Sequence, residues 1–574
     1  MAAQDPDDDC MKFNDMRAPN CSDGPTSTSK SSPSPGASQT PWLTCSHPAA
    51  DGVGLRKTSA WPKIPRINVC SFSHRNGRSR SKGRKLAGDL LSTLLISPAN
   101  LEGCGQFNRH GLARNSARII LLVLCFFVHE AQAAQITPVV EAEEDVYRYE
   151  PANNGAGPMW CHGSTCLVRV GEDVVASGLE TLTNQPPLNN CRWTLWRREV
   201  DGWRQTLADA NGRTREPCPL ATFPKQKKVF LSANPTLSPP GQAGGGPARP
   251  EILEFRLPEL GEPAAVLLPE WDGKPDFTEH SYRSFAADGQ LGELIIFQNI
   301  GYTHAEYAYR DASGRWAARG QLKWPWGAEY DKPQPIRVCY PNVALVKGAV
   351  HFVGVSDIVE PYGKWREFKK QLTGRDWDYD FRRLFYARCA DIRRGEFVPW
   401  IELASRDKTC GWISPGDLWV GPDGRVHIVW TERAIDERLR EKFFPDQKQR
   451  HEANYAVLKD GIVELKRTFA AVDEGQRGVI VSLPRFHATP EGRLFVFCYV
   501  SGTGPDGKGI SENWLYEVSN AGDFSAPVKV PLKHSLSSYF TATVRAGSEP
   551  SRWLDLLGTR VGASGTISYA RIRL

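Results

Sequence analysis

The chain is poor in the features that mark most enzyme classes. It has no Cys-x-x-Cys pair and no His/Cys spacing suited to zinc. No Gly-x-Ser-x-Gly stands on a strand-to-helix turn, which argues against a nucleophile elbow. The glycine-rich Gly241–Pro250 stretch lacks the Lys-Ser/Thr and following helix of a phosphate loop, and reads as a flexible connection. The apolar run Ile119–Val128 is about half of the ~20 residues that a spanning helix needs. Only four methionines occur, and none lies between Met16 and Met159. Cationic excess is missing too, except at the start: the first 133 residues hold 16 Lys and Arg against 10 Asp and Glu, which is the whole formal excess of +6. Beyond them the charge is balanced, so nucleic-acid binding by a basic surface is unsupported, since counterion release needs a clustered positive face.

Residues 1–111 are rich in Ser, Pro, Gly, Arg and Asn without sustained periodicity, as in SSPSPGAS and HRNGRSRSKGRK. Such a segment cannot bury enough apolar surface to offset its chain entropy, and disorder is expected. Residues 112–133 then combine Arg114 and Arg118, the apolar run and the small-x-small pattern Ala131-Gln132-Ala133, which together read as a secretory signal peptide cleaved near Ala133. A signal peptide belongs at an N-terminus, so the preceding segment reads as a gene-start artefact with initiation near Leu112; an internal anchor with a cytoplasmic tail is the alternative. Export predicts a secreted or periplasmic monomer with no stable membrane span after cleavage. Eight cysteines follow residue 133: Cys161, Cys166, Cys191, Cys218, Cys339, Cys389, Cys410 and Cys498. Their even number in an exported chain permits disulfides, whose connectivity the sequence leaves open.

What is abundant is aromatic and turn-forming residue: 18 Trp, 24 Phe and 16 Tyr beside 51 Gly and 42 Pro. From about residue 160 a unit recurs, made of a short strand, a tight turn, a second apolar strand and two further strands. Its clearest copies begin at His280, Tyr340, Asp417 and Pro484, as in YPNVALVKGAVHFVGVSD and DLWVGPDGRVHIVWTE. Repeated four-stranded units of about 50 residues predict an all-β fold, a seven-bladed β-propeller over 134–574, with six or eight blades left open. Inner strands are expected to begin near Cys166, Leu220, His280, Tyr340, Gly416, Pro484 and Tyr539. Two polar, aromatic-bearing insertions, near 358–383 and 434–453, fall between second and third strands. The last copy lacks a fourth strand, which Gln135–Asp145 can supply to close the ring.

In a propeller the loop entering the innermost strand and the loop leaving the second strand emerge on one face. That rule gathers His280, Tyr282, Arg337, Tyr340, Asp417, Arg485, His487 and Tyr539 from strand entries. Second-strand exits add Asn299, His304, Asp357, Glu432 and Arg433. Both insertions rise on the same face, where Trp365, Trp377 and Tyr379 could wall a cleft and stack on a sugar ring. The turns PDG and PEG fall on the opposite face.

The stretch from His280 through Asp288-Gly289 to His304 and Tyr307 or Tyr309, and then Arg337-VCYPNVALVKGAVHFVGVSD, resembles secreted propellers of the BNR-repeat, sialidase-like type. Within them it is most similar to ulvan-lyase-like polysaccharide lyases, over residues 277–433. The resemblance implies proton transfer by a histidine pair, here His280 and His304, and by Tyr340. The family's carboxylate-neutralising arginine would fall near Val355-Ser356-Asp357, where none stands, so Arg337 or Arg433 would have to replace it. β-Elimination from a uronate needs a base for the C5 proton, an acid for the leaving oxygen and a cation for the developing enolate. Histidine titrates near neutral pH and suits the first roles; Arg337 suits the last. A glycoside hydrolase would instead use paired carboxylates from Asp357, Asp417 and Glu432. A sialidase would further need an arginine triad and Asp-box turns, of which Asp311-ASGRW is a degenerate form. The third reading is a non-catalytic glycan- or protein-binding propeller. The partner expected is an extracellular polysaccharide. No cofactor and no catalytic metal is called for; the acidic Glu141–Asp145 reads as a solvated strand end, and a structural calcium on the propeller axis stays open.

Overall fold

In the computed structural model, residues 136–574 are described, apart from His162 and Asn211; the expected disordered leader and signal peptide lie outside them. Seven antiparallel four-stranded sheets follow one another around an axis. Inner strands are Leu167–Val170, Leu220–Phe223, Arg283–Asp288, Val338–Val346, Trp412–Val420, Gly478–Ala488 and Leu536–Thr541. We number the blades 1 to 7 in that order. The ring closes as expected. Val139–Arg148 pairs antiparallel with Thr566–Arg573, so blade 7 is built from both ends of the described chain.

The strand patterns explain the layers. Second strands lie between two sheet neighbours and two adjoining blades, so Glu293–Ile300 is buried at every position except its last. Outer strands such as Trp316–Lys323 expose every other residue and read as alternating polar and apolar. Between neighbouring blades sit aromatic-rich seams. Phe297, Tyr307, Phe352 and Trp324 fill the one between blades 3 and 4, and Tyr386, Trp430 and Leu418 the next. Burying each such ring contributes roughly 1.5–3 kcal/mol, which is what holds otherwise separate sheets in a ring.

Three inner strands carry a bulge at the same height: Cys339 to Asn342, Pro415 to Asp417, and Ser482 to Arg485. Tyr340 and Leu483, each just before a proline, adopt positive φ of 52° and 50° there. A bulge adds a residue, bends the strand and re-aims the side chains after it. Here those are Asn342, Asp417 and Arg485, and the first two meet Arg545 at the axis. Arg545 comes from the loop after Thr541, donates to Asp417 Oδ1 through Nε at 2.9 Å and to Asn342 Oδ1 at 2.8 Å, and also reaches Gly163 O. The axis is therefore closed by a buried, hydrogen-bonded ion pair, with no apolar stopper at that point.

The insertions are ordered. Ile358–Val359 pairs with Tyr379–Asp380 and brackets the helix Gly363–Thr373, which ends on Gly374 at φ 73°. The second insertion holds a 3-10 turn, Glu437–Leu439, running into the short helix Arg440–Phe443. Among the described residues no helix is long and apolar enough to cross a membrane. All eight described cysteines are free and buried, so the expected bridges are not formed in this structure.

Candidate functional site

The face carrying the insertions gathers its polar groups around the edge of blade 3. His280 lies just before that blade's inner strand, and His304 opens its third strand after the turn at Gly301–Thr303. His304 is braced at both ring nitrogens: Thr303 Oγ1 is 2.7 Å from Nδ1, and Nε2 is 3.0 Å from Glu306 Oε1. Gln321 Nε2 donates to the same Glu306 oxygen at 2.8 Å. His280 is held by Arg215, whose Nη1 donates to Nδ1, while its Nε2 lies 3.4 Å from Glu279 Oε1. A guanidinium has no acceptor, so Nδ1 of His280 must offer its lone pair and the ring proton sits on Nε2. The side chain of His280 is 29% exposed and that of His304 18%, whereas Arg215 is 1% exposed. Behind Arg215 lies Glu216, 3.8 Å from Arg215 and 3.9 Å from Arg283.

Arg337 sits at the start of blade 4 in a box of tyrosines. Its guanidinium carbon lies 4.2 Å from the Tyr302 ring centre, 5.3 Å from Tyr282 and 5.7 Å from Tyr379. Nε donates to Asp357 O at 2.9 Å and Nη2 to Asp357 Oδ2 at 2.8 Å. Burial works against the charge of Arg337, but Asp357 outweighs it and holds the group well above its ordinary range. Arg337, expected to meet a substrate carboxylate, thus already has one in Asp357, and its side chain is 9% exposed. Tyr302, 42% exposed, forms the outer wall of the box, and its hydroxyl is 2.9 Å from that of Tyr379. Burial, and then Tyr302, push the Tyr379 phenol well up, so it stays protonated.

Tyr340, on its bulge, packs against Trp160 at 5.8 Å, Phe381 at 5.7 Å and Tyr282 at 6.3 Å between ring centres. It links the tyrosine box to the segment that enters blade 1. Asn299 joins the two blades, donating from Nδ2 to Cys339 Sγ at 3.3 Å. Arg433 lies over Trp412 at 5.9 Å, and burial lowers its pKa.

Other residues assigned to this face are engaged within and between the strands. Gly416 and Pro484 resemble strand starts because glycine and proline break strands, yet the strands begin at Trp412 and Gly478 and those residues sit in bulges. Asp417 is therefore mid-strand on the axis with Arg545, and Arg485 is half-buried, donating to Gly416 O. The same shift carries His487 to the opposite end of blade 6, where Nε2 donates to Ser551 O at 2.7 Å. Tyr539 is buried and donates to Leu483 O at 2.6 Å. Glu432 accepts from Trp430 Nε1 at 2.6 Å and pairs with Arg406. Asp357, Asp417 and Glu432 are thus bound to three different arginines, Arg337, Arg545 and Arg406.

The insertions lock onto each other. Trp365 packs on Phe444 at 5.7 Å and on Tyr362 at 5.0 Å, beneath Arg382 at 5.1 Å. It joins the insertions and does not line an open cleft; Trp377 is half-buried beside them. Below, Glu360 binds Lys369 at 2.8 Å and Arg382 at 2.8 Å, and Arg382 binds Asp380 at 3.0 Å. Burial, opposed by Arg382, leaves Asp380 pushed up to about 6.

Several residues here were not singled out in the sequence. Tyr302 and Arg215 obey the same face rule as the residues that were, being a second-strand exit and a strand entry. Arg545 gave no signal, because its loop belongs to the opposite face and reaches up the axis.

No family model matches the sequence, and no curated protein does. Among solved structures the chain is similar to an alpha-L-arabinanase of Penicillium chrysogenum complexed with arabinobiose (10% identity, TM-score 0.38, covering 76% of this chain and 99% of that one). It is also similar to polysaccharide lyase Uly1 (12%, 0.40, 78% and 95%). A mutant Trypanosoma rangeli sialidase displaying trans-sialidase activity is matched over 65% of this chain and 57% of that one, with 10% identity and a TM-score of 0.32.

Proposed function

We propose that this propeller binds an extracellular polysaccharide on its insertion-bearing face, with Tyr302 as the principal sugar platform. The observation that carries this reading is the stacked set Tyr302, Arg337 and Tyr379. An exposed aromatic ring is held rigid by a cation at 4.2 Å beneath it and by a hydroxyl partner at 2.9 Å. A preordered ring loses little freedom when a sugar's apolar C–H face settles on it, and the phenol hydroxyls nearby offer polar contacts that fix its orientation. His304 borders the platform, two residues along the chain from Tyr302.

A second reading, β-elimination from a uronate, is favoured by one contact: the partly exposed His280 beside the buried cation of Arg215. That pairing sets a cation beside a partly exposed ring whose Nε2–H can protonate a leaving glycosidic oxygen. The test is to titrate the protein with a panel of neutral and uronate-bearing polysaccharides while following binding and the ultraviolet absorbance of unsaturated chain ends. Tyr302→Ala is expected to weaken binding by about tenfold or more, the equivalent of ~1.4 kcal/mol. If elimination occurs, His280→Ala abolishes the absorbance and keeps binding. Unchanged affinity in Tyr302→Ala overturns the platform.

A further inference from the structure

Cys161 and Cys166 bring their sulfurs to 3.5 Å inside the seam between blades 7 and 1. Both are almost completely buried, at 4% and 1% exposure. A third thiol, Cys218, is near, yet its sulfur is turned away: it lies 3.9 Å from Glu216 O and 3.8 Å from Arg283 Nη2. Cys166 meets the Cys218 residue at its carbonyl, 3.9 Å away. Four residues separate Cys161 from Cys166, with a turn between them closed by Ser164 N donating to Cys161 O at 2.8 Å. The chain thus doubles back and brings the two side chains together.

We propose that Cys161 and Cys166 form an intrachain disulfide that fastens the segment closing the insertion-bearing end of the axis. That segment is tied to far parts of the ring. Gly163 O accepts from Arg545 of blade 7, Ser164 Oγ accepts from Phe285 N of blade 3 at 3.0 Å, and Thr165 Oγ1 donates to Thr541 O at 2.8 Å. Trp160, next to Cys161, packs on Tyr340. A bond needs the sulfurs to close to about 2.05 Å, roughly 1.5 Å nearer than they stand as thiols, a shift that side-chain rotation can supply. The co-reactant is a disulfide, such as oxidised glutathione or the active-site disulfide of a thiol oxidase. The thiolate of Cys161 attacks one of its sulfurs and expels a thiolate; the thiolate of Cys166 then attacks the Cys161 sulfur and expels the second. Two protons leave the cysteines, and the electron pair passes to the co-reactant, which ends as two thiols. Burial pushes the Cys161 thiol well up, so exchange belongs to the stage before the segment seats.

The test uses the full chain, refolded with oxidised and reduced glutathione, denatured, alkylated without reduction and digested with trypsin. Both cysteines fall in the single peptide Tyr149–Arg169, whereas Cys218 falls in Glu216–Lys225. The expected result is Tyr149–Arg169 unalkylated and lighter by two hydrogens, with Cys218 alkylated. The oxidised form should also unfold at a higher temperature than the reduced one, a difference that Cys161→Ser removes. A doubly alkylated Tyr149–Arg169 overturns the proposal, as does a cross-link between that peptide and Glu216–Lys225. Because the peptide is mapped in the unaltered chain, the result does not depend on any variant folding.

Discussion

Arg337 shows how a residue can be chemically right for a role and structurally committed to another. Its two hydrogen bonds to Asp357 are buried, so Arg337→Met leaves a carboxylate without its counter-charge. Loss of about 3–5 kcal/mol in urea unfolding is expected, since breaking a buried pair costs far more than the pair contributes net. A stability close to that of the unaltered protein would instead mean that Arg337 is a solvent-facing cation. Buried histidines make a second prediction. Burial pushes His351, His427 and His487 down to about 4, with Tyr386 OH, Tyr455 OH and Ser551 O as their respective partners. Their folded pKa lies below the unfolded value of 6.5, so the unfolded chain takes up protons first as pH falls. Stability is fully present above about pH 6.5 and declines toward pH 4, by about 3 kcal/mol for one such histidine. Urea midpoints between pH 7.5 and pH 4.5 check this, and His487→Gln should flatten the slope.

At the scale of elements, the sequence shows most clearly what repeats. Third strands such as Arg383–Cys389 and Arg450–Lys459, and the closing strand from the N-terminal side, follow from alternation and from counting strands per blade. The bulges do not, because Pro415-Gly416 and Leu483-Pro484 carry breaker residues inside strands, and that moved Asp417, Arg485 and His487 from the face to the axis or the far end. His304 and Tyr302 were within reach of the face rule, while the identity of each arginine's carboxylate was not, since pairs such as Arg406 with Glu432 join residues far apart in the chain. The insertions were legible as insertions, but their mutual packing was not. Trp365→Ala removes the ring that joins them and should cost about 2 kcal/mol, less than a fully buried tryptophan because Trp365 is half-buried. Limited proteolysis should then cut faster within 434–453 while the seams stay intact; unchanged cleavage would place the weld in the Glu360, Lys369 and Arg382 network alone.

For the whole molecule, Val139–Arg148 supplies the fourth, outer strand of blade 7 and so joins both ends of the described chain in one sheet. Deleting residues 139–148 exposes Thr566–Arg573 as an edge and should lower stability by at least ~3 kcal/mol while promoting association between copies, as unpaired edges do. Urea unfolding and sedimentation of the truncated chain check both. On the axis, Arg545 and Asp417 form a buried ion pair that ties the loop after the inner strand of blade 7 to blade 5.

The most direct measurement of the central claim is polysaccharide affinity by calorimetry for three proteins: the unaltered chain, Tyr302→Ala on the insertion-bearing face, and Arg552→Ala, an exposed residue on the opposite face. The account predicts binding that falls by about tenfold or more in Tyr302→Ala and is unchanged in Arg552→Ala. Affinity lost in Arg552→Ala and kept in Tyr302→Ala would contradict it, as would the absence of binding to any neutral or uronate-bearing polysaccharide.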